Sequence, residues 1–198
     1  ITKKVNNIIE KYGESAPSIY LLHGDLTAEE MNGLYNHPKV KAHISFTKGE
    51  GFGRPLLEAS VSQKPVIATN WSGHVDFLKH SVMLPGQVNQ VHKSAVWKDV
   101  IIPESGWFYV NVNYAIKTMK QVFKHYKKYL SNARTQSKYS IENFSLDKMT
   151  IKFKEILDKY VPEPTEQVKI KLPKLNMNNS VDKKELPKVK LPKLKKVE

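Results

Sequence analysis

Between residues 18 and 69 short apolar runs alternate with helical patterns, and this alternation restricts the fold most, because strands separated by helices pair in parallel. Residues 18–23 (SIYLLH), 43–47 (HISFT) and 65–69 (PVIAT) read as three buried strands. Between the first two, Thr27 with Glu30 three residues on gives a capping box, in which each side chain satisfies the other's orphan amide. The helix so started carries Met31, Leu34 and Tyr35 and ends before Pro38. Residues 55–63 read as a second helix. The expected fold class is α/β, a Rossmann-like parallel sheet with flanking helices.

Residues 1–12 place Ile1, Val5, Ile8 and Ile9 on one helical face and stop at Gly13. Residues 82–110 are less regular and read as a hairpin-like excursion with two β-leaning stretches, around Pro85-Gly86 and around 103–106. Residues 114–138 read as one long helix with Ile116, Met119, Val122, Phe123, Tyr126 and Leu130 at helical spacing. Ser145 is the expected cap of a last helix whose Leu146, Met149, Phe153, Ile156 and Tyr160 form a stripe read as core packing.

With 198 residues, 40% of them hydrophobic, the chain can bury one core. It contains no cysteine, which excludes disulfides, thiolate metal sites and a cysteine nucleophile. No apolar run approaches the roughly 20 residues of a membrane span, so the expected location is cytoplasmic, with peripheral membrane attachment as a variant. The net charge of +13 raises nucleic acid as a partner, but only Arg54 and Arg134 are arginine, and readers of phosphate and base edges favour the guanidinium fork, so none is expected. From residue 162 the composition shifts to five prolines, no aromatic residue and ten lysines against five acids, with KLPKL, ELPKV and KLPKL pieces. Residues 162–198 read as a disordered basic tail, either simply solvated or contacting an anionic surface or a protein. Residues 1–161 read as a partial domain, since Ile1 is not an initiator methionine.

The segment that carries chemistry is 48–59 (KGEGFGRPLLEA), running from a strand into a helix. Gly49, Gly51 and Gly53 allow a tight turn and close approach of a ligand to backbone, and Pro55 suits a first helical turn. The amides of Phe52, Gly53 and Arg54 then stand at the positive end of a helix dipole, a place for phosphate or diphosphate. Glu50 and Glu58 flank it and are expected to face one crevice at the carboxyl ends of the strands, where carboxylates accept hydrogen bonds from sugar or ribose hydroxyls. The plain alternative is a tight turn with both glutamates solvated.

Residues 50–58 (EGFGRPLLE) resemble the Glu-x7-Glu motif of retaining glycosyltransferases with the GT-B fold, the large glycosyl transferases group 1 that includes sucrose-synthase-like and mannosyltransferase-like enzymes. Residues 23–35 (HGDLTAEEMNGLY), the 65–69 strand, Ser72-Gly73 and Asn143-Phe144-Ser145 resemble the family's neighbouring segments in the same order. The resemblance implies that this chain is the later part of a nucleotide-sugar donor-binding domain. Glu58 would bond the donor ribose, and Glu50, the catalytic candidate, the hydroxyls of the transferred sugar. Gly51, Phe52 and Gly53 would face sugar and diphosphate. No metal or other cofactor is implied; the nucleotide sugar is the donor substrate and a glycan, lipid or protein the acceptor, held by an N-terminal domain preceding Ile1. Transfer would retain the anomeric configuration.

Arg54, apolar in many relatives, either adds charge against the diphosphate or covers the helix end. Lys48 either turns toward phosphate or is a surface lysine, and His74 is the last of the donor-binding candidates. Asp76 stands where relatives often have glutamate. His23 and His43 read as core or edge histidines; Trp71, Trp97 and Trp107 read as packing residues. The competing functions are a non-catalytic remnant or assembly module of the same fold, and a sugar-nucleotide epimerase of shared architecture.

Overall fold

A computed structural model describes residues 1–162; the expected basic tail, apart from Pro162, lies outside the described residues. The elements run α1 (Thr2–Tyr12), α2 (Ala28–Asn36), β1 (His43–Ser45), α3 (Arg54–Val61), β2 (Val66–Thr69), β3 (Val82–Leu84), β4 (Gly86–Gln90), β5 (Gly106–Val110), α4 (Val112–Lys124), α5 (Tyr126–Phe144) and α6 (Leu146–Tyr160). β1, β2 and β3 form a parallel sheet in that order, with Ile44 opposite Ile67 and Ala68 opposite Met83. β4 and β5 form a separate antiparallel hairpin.

β2 is central and all four of its residues are buried, which is why 65–69 is a continuous apolar run with no polar alternation. Successive side chains on a strand leave on opposite faces, so β2 feeds two cores. Val66 and Ala68 pack with Leu56 and Ala59 of α3 and with Phe77 and Leu78, and Phe144 closes over them. Ile67 packs on the other face with Leu84 and with Ala115 and Val122 of α4. The α/β class and the helix–sheet layering agree with the sequence reading.

The capping box forms as expected: Glu30 N–H donates to Thr27 Oγ1 (3.2 Å) and Thr27 N–H to Glu30 Oε2 (2.8 Å). The other end of α2 is held by Lys64, whose ammonium donates to the carbonyls of Tyr35 (2.7 Å) and His37 (2.6 Å), a cation at the negative end of the helix dipole. Burial, with Lys41 nearby, lowers the Lys64 pKa.

Four expectations are corrected. Residues 18–23 form no strand, and Tyr20 and Leu22 are exposed; the run has strand composition but no ladder partner among the described residues, and a strand persists only within a sheet. The third strand is instead Val82–Leu84, at the start of the segment read as an excursion, the rest of which does become the hairpin.

The long helix expected over 114–138 is two helices broken at His125, whose ψ of 35° leaves the helical range. Neither proline nor glycine marks the break. It is dictated by packing: α4 covers the Ile67 face, whereas Ser137 and Ser140 of α5 reach α3, on the opposite face. Finally, the α6 stripe is not core: Leu146 (81% exposed), Phe153 and Tyr160 lie open. Among the tryptophans, Trp97 is exposed, while half-exposed Trp71 stacks parallel to Phe108 of β5.

Candidate functional site

The loops leaving β1 and β2 emerge at the same end of the sheet, and the Thr69 hydroxyl, donating to the Thr47 carbonyl (3.2 Å), ties their bases together. Beyond that tie the two loops are sewn along their backbones. Glu50 N–H donates to Ser72 Oγ (2.9 Å), Ser72 Oγ–H donates to the Glu50 carbonyl (2.5 Å), and Gly73 N–H donates to the same carbonyl (3.0 Å). The contact is so close that a Cβ at Gly73 would sit 2.1 Å from the Gly51 carbonyl oxygen, so only glycine fits. The Lys48 carbonyl is held from a third side by Phe108 N–H of β5 (3.0 Å), and the Lys48 ammonium lies 3.6 Å over the Tyr109 ring centre. That places the Lys48 charge on an aromatic face of the hairpin.

Gly53 then turns left-handed (φ 88°, ψ 48°) and caps α3, which opens at Arg54 with Pro55 following. The Gly53 carbonyl accepts from Leu56 and Leu57. The amides of Gly51, Phe52, Gly53 and Arg54 meet no acceptor among the described residues and lead into the positive end of the α3 dipole; Gly53 is buried and the other three residues are exposed. Phe52 is half-exposed, with its ring against Phe77 (5.1 Å between centres).

Glu50 and Glu58 do not open into one crevice as expected; they line adjoining clefts. Glu50 lines a cavity of about 470 Å³ with Ile44 and Ser45 of β1 and with Pro55 and Leu56. Glu58, on the α2 side of α3, lines a cleft of about 480 Å³ with Met31, Asn32 and Arg54. Tyr35 is common to both walls. Its phenol pKa is raised by burial and by the Glu58 charge, against a lowering by Arg54. Arg54 Nε lies 3.3 Å from Glu58 Oε1, one helical turn on, in an exposed pair whose contribution to folding is under about 1 kcal/mol.

His74 is wholly buried and lines neither cleft. Its Nε2 donates to the Thr69 carbonyl (2.6 Å), its Cβ lies under Gly53, and its Nδ1 has no partner among the described residues. Asp76 is exposed on the short Gly73–Asp76 turn. His43 accompanies Ser62 (3.2 Å) at the opposite end of β1, with its pKa lowered by burial and by Lys64 against a raising contact from Tyr35. Two residues to which the sequence assigns no site role enter the site: Tyr35, marked as an apolar member of the α2 stripe, and Ser72, marked as the residue before a glycine turn.

The sequence model of the family described as "Glycosyl transferases group 1" matches residues 2–101, half of the chain and the stretch that holds β1, α3 and both sewn loops. The chain belongs to this family. The chain is also similar in fold to the crystal structure of a glycosyltransferase from Rickettsia africae ESF-5, with a TM-score of 0.58 and 20% identity. That likeness covers 82% of this chain and 37% of the Rickettsia chain, so the group 1 chain spans well under half the length of that relative. No curated protein sequence matches it.

Proposed function

We propose that this chain forms the donor-binding half of a retaining GT-B glycosyltransferase, which moves a sugar from a nucleoside-diphosphate sugar to a glycan, lipid or protein acceptor. The observation that carries this reading is the row of four acceptor-free amides at the start of α3 with a carboxylate on either side. In the reaction the bond between the anomeric carbon and the phosphate oxygen breaks, the acceptor oxygen bonds to that carbon, and the acceptor proton leaves. Charge develops on the departing diphosphate. Fixed amides and a helix dipole stabilise such charge without reorganising, the largest single contribution in many enzymes. Glu50 accepts from hydroxyls of the transferred sugar, and Glu58 from the ribose in the neighbouring cleft. The separation of the two clefts suits a ligand laid across the start of α3, with sugar on one side and nucleoside on the other. Arg54, paired with Glu58 one turn on, orients its carboxylate. The scheme needs neither a protein nucleophile nor a resident metal; a further domain brings the acceptor.

Saturation-transfer NMR of the full chain with uridine, guanosine and adenosine diphosphates and their sugars tests this directly. Transfer to one nucleotide, reduced at least tenfold in apparent affinity by Glu58→Ala, is the expected result. A folded wild-type chain that binds none of them would overturn the donor-site reading.

A further inference from the structure

Ser72 occupies a backbone conformation (φ 80°, ψ −168°) that belongs essentially to glycine, and the next residue in the chain is a glycine. A serine is held there against steric preference, and its hydroxyl makes two bonds, both to one residue. It accepts from Glu50 N–H and donates to the Glu50 carbonyl, which also receives Gly73 N–H. The Glu50 carbonyl and the Gly51 N–H belong to one planar peptide, pointing in opposite directions across it. Pinning the carbonyl into the Ser72-Gly73 turn therefore fixes the Gly51 N–H on the far side of that plane. A glycine-rich loop has the least intrinsic resistance to a flip of this peptide, and a flip would put a carbonyl where the first amide of the row should be.

We infer that Ser72 is a positioning residue for the diphosphate site: its strained backbone and doubly bonded hydroxyl lock the 50–51 peptide so that the Gly51–Gly53 amides stay presented to the ligand. The inference rests on the donor-site reading for its ligand, and on the loop geometry alone for its mechanism. His74, two residues on and wholly buried beneath Gly53, supports the same loop from below.

Two variants of the full chain separate positioning from ordinary structural support. Ser72→Gly takes up the observed φ and ψ without strain but removes the hydroxyl; Ser72→Ala removes the hydroxyl and keeps the strain. The measurements are thermal melting, backbone order parameters of Gly51, Phe52 and Gly53 by nitrogen-15 relaxation, and affinity for uridine, guanosine and adenosine diphosphates. The expected result is that Ser72→Gly melts no lower than wild type, while its loop order parameters fall from about 0.85 toward 0.6. Its affinity for whichever diphosphate wild type binds falls at least tenfold, and Ser72→Ala loses the same affinity with a lower melting temperature. Unchanged loop order and affinity in Ser72→Gly would overturn the inference, as would a loss of affinity that merely follows a loss of melting temperature. Should wild type bind none of the three nucleotides, the donor-site reading fails, and the order parameters still decide the role of Ser72.

Discussion

α5 and α6 follow one another in the chain, yet they end in opposite situations. α5 buries Ala133, Gln136, Ser137 and Ser140 against α3 and the turn after β2, whereas no residue of α6 is buried. The difference lies in the groups that meet. Gln136 donates to the Phe77 carbonyl (2.6 Å) and to Ser140 Oγ (2.9 Å) and accepts from His80 N–H (2.7 Å). Ser140 Oγ lies 2.8 Å from Ser60 Oγ of α3. A satisfied polar network specifies one partner surface; an apolar stripe specifies only that some surface will cover it. The same contrast separates the sewn loops of the site from the exposed run at 18–23.

The sharpest way to break the comparison is to disturb the sewn interior. Gly73→Ala drives a Cβ into the Gly51 backbone, which cannot yield as a side chain would, and should destabilise the fold by about 3 kcal/mol or more in urea unfolding. Gln136→Leu keeps the volume but strands the Phe77 carbonyl and the His80 amide, an expected loss of about 2–3 kcal/mol in the same assay.

A smaller effect tests the far end of β1. Because the His43 pKa is lowered on folding, the unfolded chain binds more protons between that lowered value and about 6.5, so stability is full above about pH 6.5 and declines on acidification below it. Melting curves from pH 7.5 to 5 should show that decline, and His43→Gln should flatten it; an equal slope in the variant would remove His43 as its source. At the bottom of the scale, Phe153→Ser on α6 should change unfolding free energy by no more than about 0.5 kcal/mol. A loss of several kcal/mol there would show that a surface of this chain covers the stripe after all, and would collapse the contrast between the two helices.

What the sequence disclosed divides along the same line. The capping box at Thr27, the continuous apolar run of β2 and the glycine-proline start of α3 were legible because each is dictated by residues a few positions apart. The break at His125 was not, since Phe123 and Tyr126 sustain the helical period through it and only the need to reach the other face of the sheet interrupts the helix. Glu50 and Glu58 stood out by spacing, but their division between two clefts depends on where α2 lies. Ser72 carries only the mark of a residue before a glycine turn: its importance arises from Glu50, which it meets only once β1 and β2 are side by side.

The grip of Phe108 on the Lys48 carbonyl has a consequence for the order in which this chain acquires competence during synthesis. The glycine loop leaves the ribosome well before the hairpin that braces it, and contacts so distant along the chain form late. A nascent chain halted after β3 would already possess every glycine and both glutamates of the motif without the brace. Stalled-chain capture on an immobilised nucleoside diphosphate should therefore begin only after β5 has emerged.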